Sequence, residues 1–227
     1  MIPWGWDVIA TSPGMYQAAR GKKQKQHILC RLDAYHGTTY ATASLSGKVN
    51  DRTTEFNYIE ETIHHLTSPN YYRAPEGLTE EQFCDYLIDE MEAKILELDP
   101  DNVAAFFAEP ILGSGGVIVP PDGYNRRTWE LCRKYDILYV ADEVVTGFGR
   151  LGRWFGSEYY GIQPDIMTIA KGLTSAYLPL SGSMKRRMAE WRRKKLRWWS
   201  ISRSVISWPG ARLSPCRPSV RSCLTVV

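Results

Sequence analysis

Four apolar stretches of this chain end in residues equipped for chemistry. Residues 27–32 lead to Tyr35-His36, Val103–Ala108 to Glu109, Ile137–Ala141 to Asp142, and Ile166–Ala170 to Lys171. A lysine amine condenses with an aldehyde. A carboxylate facing the nitrogen of an aromatic heterocycle keeps that nitrogen protonated, so the ring can accept carbanion charge, and an aromatic side chain covers its face. Lys171, Asp142 and Tyr35 are residues of these types, and pyridoxal phosphate is the cofactor whose needs they fit. Each also has a plainer reading alone: most lysines are solvated surface charges, and an aspartate at a strand end often caps a turn. Convergence on one rim requires the four strands to be neighbours, an order the sequence does not state.

The elements that must position these groups are short buried strands alternating with helices. Thr79 with Gln82 forms a capping box, and Phe83, Leu87, Met91, Ile95 and Leu98 recur at helical spacing until Asp99-Pro100 stops the pattern. Residues 124–135 read as a second helix. Strand, helix, strand in this order predicts an α/β fold, a mostly parallel sheet with crossover helices, whose ligands sit beyond the carboxyl ends of the strands.

Several words in register carry a resemblance. Ala108-Glu109-Pro110, the run from Ala141-Asp142-Glu143 through Val144-Val145-Thr146-Gly147-Phe148-Gly149-Arg150, Pro164-Asp165 and Ala170-Lys171-Gly172-Leu173 resemble the class III aminotransferases, the omega-aminotransferase family of fold type I. Upstream, Tyr35-His36-Gly37-Thr38-Thr39 with Ser44-Leu45-Ser46-Gly47 resembles the family's Tyr-His-Gly segment. The resemblance implies a partial fold type I large domain that uses pyridoxal 5'-phosphate. It implies that Lys171 holds the cofactor and moves the catalytic proton, that Asp142 partners the pyridine nitrogen, that Val144 lies beneath the ring, and that Tyr35 stacks above it with His36 alongside. Glu109 matches an acidic residue at the site edge, with a buried structural carboxylate as the equal alternative. The implied reaction is transamination from an amine or omega-amino acid to a keto acid such as pyruvate, in a homodimer. The segment Leu173–Ser181 resembles the branch that uses omega-amino donors.

Departures from the family pattern divide the chain into three parts. Residues 1–15 are divergent: Ser12-Pro13-Gly14 stands where the family has a Gly-Ser-rich phosphate loop, and Pro13 lacks an N–H donor. Residues 16–184 form the partial cofactor-binding domain. Residues 185–227 lose the likeness; the partner-facing threonine and the small domain are not matched, and a shifted reading frame or unspliced junction would give such a break. A working transaminase is one expectation; a noncatalytic fragment with a disordered basic tail is the alternative.

Composition excludes other classes. The 227 residues are 44% hydrophobic and 23% charged, which suits one globular unit. Residues 1–184 carry 16 Lys+Arg against 24 Asp+Glu, whereas residues 185–227 carry 12 against the single Glu190. Pro209, Pro215 and Pro218 interrupt that basic stretch, so neither a nucleic acid nor a membrane is expected as a specific partner. The start has no basic head followed by an apolar block, and no run is long enough to span a bilayer, so the expected location is cytoplasmic. Five cysteines without CxxC spacing, and His64-His65 without a third ligand, predict neither disulfides nor a metal. Gly113-Ser114-Gly115-Gly116 lacks the Lys-Ser/Thr of a P-loop and reads as a turn.

Overall fold

The computed structural model describes residues 13–178, 180–185 and 225–226. Ser12 and the basic, tryptophan-bearing stretch from residue 186 to residue 224 lie outside the described residues. Strands β1 (His27–Arg31), β2 (Ile63–Leu66), β3 (Val103–Ala108), β4 (Leu138–Asp142), β5 (Ile166–Ile169), β6 (Gly182–Lys185) and β7 (Thr225–Val226) form one sheet in the order β2-β1-β3-β4-β5-β6-β7. The first five are mutually parallel; β6 runs antiparallel to β5, and β7 antiparallel to β6. The expected mostly parallel α/β sheet is therefore present, and the four apolar runs that precede the candidate residues are consecutive neighbours.

Helix α1 (residues 13–19) precedes β1, and helices α2 (Tyr40–Leu45), α3 (Glu80–Glu97), α4 (Tyr124–Lys134) and α5 (Gly156–Tyr159) lie between the strands. α3 forms where the sequence places it, because Thr79 Oγ1 accepts from Gln82 N at 3.2 Å while Thr79 N donates to Gln82 Oε1 at 2.9 Å. Its buried stripe, Phe83, Leu87, Met91 and Ile95, packs with Leu131 and Cys132 of α4 on Leu29, Phe106 and Tyr139 of the sheet. The opposite face is covered by Tyr16 of α1 and Leu45 of α2 over Cys30, Ala105, Phe107, Val140 and Ile166. All six residues of β3 are buried, and Phe106 and Phe107 point into opposite cores. That is why a parallel central strand reads as an unbroken apolar run. No helix among the described residues is long and apolar enough to cross a membrane.

Candidate active site

Asp142 is the last residue of β4, and its Cα partner across the ladder is Thr168 of β5. Side chains paired this way share one face of the sheet, here the face that carries Val140 and Ile166. The carboxylate is buried and surrounded by donors. Thr168 Oγ1 donates to Oδ1 at 2.8 Å, Val144 N donates to Oδ1 at 3.2 Å, and His36 Nδ1 lies 2.7 Å from Oδ2.

His36 is brought in by the segment after β1. Its amide donates to Ser46 Oγ at 2.8 Å, and its ring stands edge-on to Phe107 with centroids 6.0 Å apart. The far nitrogen, Nε2, is buried without a hydrogen-bond partner. The neighbouring Tyr35 is half-buried, and its amide donates to Glu109 Oε1 at 3.0 Å.

Glu109 follows β3 and is 3% exposed. Its second oxygen, Oε2, accepts from Gly113 N at 3.0 Å, and its carbonyl accepts from Arg31 Nη2 at 2.6 Å. One side chain thus joins the segment after β1 to the Gly113–Gly116 turn. Burial pushes its carboxyl above the ordinary range, with Asp142 adding to the effect, while His36, the Tyr35 amide and Arg31 pull the other way. The turn it holds sits tightly on the segment after β1: a Cβ on Gly115 would lie 2.3 Å from Asp33 O.

Lys171 begins a short 3-10 turn, Lys171–Leu173, directly after β5, and its side chain is exposed. It stands three residues beyond the partner of Asp142, at most about 10 Å of extended chain. Its φ of +30°, followed by +51° at Ser175 and +65° at Ala176, is the left-handed backbone that non-glycine residues avoid and that collects at functional turns. Phe148 of the segment after β4 supports this turn, since a Cβ on Gly172 would meet Phe148 Cβ at 3.0 Å.

Tyr35, His36, Glu109, Asp142, Val144 and Lys171 all lie at the carboxyl ends of four adjacent strands. The hydrogen bonds place His36, Asp142 and Val144 together and join Tyr35 to Glu109; Lys171 follows β5, the strand next to β4. Sequence reasoning passed over three contributors. Thr168 lay inside an apolar run, where its hydroxyl was the available clue; Ser46 was read only as part of the Ser44-Leu45-Ser46-Gly47 segment. Glu143 was read only as part of a motif. Its buried carboxylate accepts from Ser157 N at 2.6 Å, Gly156 N at 2.8 Å and the Thr146 hydroxyl, which closes the segment from β4 to α5. Among the described residues, no group of three or more His, Cys, Asp or Glu could hold a metal ion.

Comparison with known proteins bears on the family and the fold. The family model for class-III aminotransferases matches residues 13–191. The putrescine–pyruvate aminotransferase of Pseudomonas aeruginosa is 46% identical over 180 residues, covering 79% of this chain and 39% of that protein. The diaminobutyrate–2-oxoglutarate transaminase of Halomonas elongata is 47% identical over 170 residues, covering 74% of this chain and 36% of its own length. A solved omega transaminase from Pseudomonas jessenii in complex with PMP superposes with a TM-score of 0.76 at 42% identity, covering 80% of this chain and 40% of that one. The chain spans about two-fifths of the length of these relatives. With its residues 13–191 matched by the family model and its fold shared with solved transaminases, the chain belongs to the class III aminotransferase family.

Proposed function

We propose that this chain carries the cofactor-holding part of a pyridoxal 5'-phosphate-dependent transaminase that moves an amino group from an amine or omega-amino acid to a keto acid such as pyruvate. The observation that carries the proposal is Asp142. Its buried carboxylate, fixed by Thr168, Val144 N and His36, retains an open acceptor direction on Oδ2, which fits the N–H of a protonated pyridine ring. When bound, the cofactor supplies an electron sink for the carbanion formed at the donor carbon.

The chain's own residues do the rest. Asp142 would hold the ring nitrogen protonated, and His36 holds Asp142. Val144, buried two residues on, supplies an apolar surface for one ring face and Tyr35 an aromatic cover for the other. Glu109 fixes the segment that presents Tyr35. The Lys171 amine would hold the cofactor and would serve as the base that takes the proton from the amine-bearing carbon of the donor. The names of the P. aeruginosa and H. elongata relatives support an amine or diamino acid donor and a keto acid acceptor, and the PMP complex of the P. jessenii enzyme supports the cofactor. Trp154 of the segment after β4, and Tyr177 and Leu178 on the segment that follows Lys171, present exposed apolar surface. Such a surface supports assembly as a homodimer around the site.

The chain is tested by incubation with pyridoxal phosphate, borohydride reduction and peptide mass spectrometry. One cofactor fixed on the Lys171 peptide, lost in Lys171→Ala and diminished in Asp142→Asn, is expected. No adduct at millimolar cofactor in the folded chain refutes the proposal and leaves a noncatalytic fragment.

A further inference from the structure

We infer that Thr168 is a positioning residue of this site: its hydroxyl occupies Asp142 Oδ1 and leaves Oδ2 as the carboxylate oxygen offered to a ring N–H. The inference rests on the pyridoxal phosphate reading above.

Thr168 is buried within β5, a strand otherwise composed of Ile166, Met167 and Ile169. At such a position valine has nearly the same shape and carries no polar atom, whereas a buried hydroxyl is unfavourable unless it is hydrogen-bonded. The hydroxyl has one such bond, 2.8 Å to Asp142 Oδ1. A carboxylate oxygen accepts about two hydrogen bonds. Oδ1 has two, from Thr168 Oγ1 and Val144 N, while Oδ2 has one, from His36 Nδ1. The open direction is therefore on Oδ2. The Thr168 carbonyl also accepts from Glu143 N at 3.0 Å, so this residue fixes both the backbone after Asp142 and the rotation of its carboxylate. Without the hydroxyl, Oδ1 competes with Oδ2 for the ligand, and His36 follows the carboxylate as it turns.

Thr168→Val, which removes the hydroxyl, and Thr168→Ser, which keeps it, are compared with the native full chain by two measurements. The first is the dissociation constant of pyridoxal phosphate by fluorescence titration. A hydrogen bond to a charged group is worth about tenfold to a hundredfold in binding, so Thr168→Val is expected to bind about tenfold more weakly and Thr168→Ser to restore the native value. The second is the His36 Nδ1–H proton resonance in the chain without cofactor, expected to move in Thr168→Val and to return in Thr168→Ser. Native affinity and a native His36 resonance in a folded Thr168→Val chain overturn the inference. If the native chain takes up no cofactor, the pyridoxal phosphate reading fails, and the His36 resonance alone decides whether Thr168 orients the carboxylate. Should the valine variant not fold, Thr168→Ala is read in the same way.

Discussion

Replacing Glu109 should expose the structural work of its carboxylate. The side chain accepts from Tyr35 N and Gly113 N, both at 3.0 Å. Glu109→Ala leaves two backbone amides without that acceptor, at about 1–3 kcal/mol each, so about 2–6 kcal/mol in all. This is a large share of the roughly 5–15 kcal/mol that holds a domain folded. Relief from burying a charge works in the opposite direction and grows with pH. Because burial raises the Glu109 carboxyl above its ordinary value of 4.5, the folded state binds this proton more tightly than the unfolded state does. The associated stability is fully present below about pH 4.5 and is lost as pH rises through the folded value. Glu109→Gln keeps an acceptor for one amide and cannot titrate. Its deficit relative to the native chain should therefore be greatest near pH 4.5 and shrink toward neutrality, while Glu109→Ala stays well below both. Urea unfolding of the three chains at several pH values between about 4.5 and 8 measures this. A deficit for Glu109→Ala within about 0.5 kcal/mol, the range of ordinary surface changes, or a glutamine deficit that widens with pH, would refute the reasoning.

Two further predictions concern parts of the fold remote from Lys171 or beneath the rim. Lys25 is buried, and its Nζ donates to the carbonyls of Pro100 at 2.7 Å, Val103 at 3.1 Å and Tyr135 at 3.5 Å; Lys25→Met strands these acceptors and should lower unfolding free energy by about 1–3 kcal/mol, and an unchanged urea midpoint would contradict it. At Gly47 an added Cβ would fall 2.2 Å from Arg31 O and 2.8 Å from Leu32 Cα, with no flexible side chain to yield. Gly47→Ala should cost about 3 kcal/mol or more and reduce soluble yield sharply, and a native-like melting temperature would show that the two segments do not pack so closely.

Much of the scaffold was legible because its causes are local. The runs that became β1, β3, β4 and β5 are apolar on both faces, since helices cover both sides of the sheet, and α3 announces its start through Thr79 and Gln82. Elements with a weaker local cause were missed. β2, Ile-His-His-Leu, carries two half-buried histidines at its centre. α2 is capped by Thr39 with Thr42 rather than with a glutamate or glutamine, so it lacks the usual opening pattern. The positions of Tyr35, His36, Asp142 and Lys171 at strand ends could be read along the chain, as could the two meanings open to Glu109. Strand order could not, and neither could the partners of each carboxylate. Asp142 meets Thr168 across 26 positions and His36 across 106, and Glu109 meets Tyr35 across 74. Apolar periodicity records which face of an element is buried, but it is blind to which distant strand lies beside it. A hydrogen bond takes its meaning from that neighbour, so the rim as a set of interlocked groups exists only once the sheet has closed.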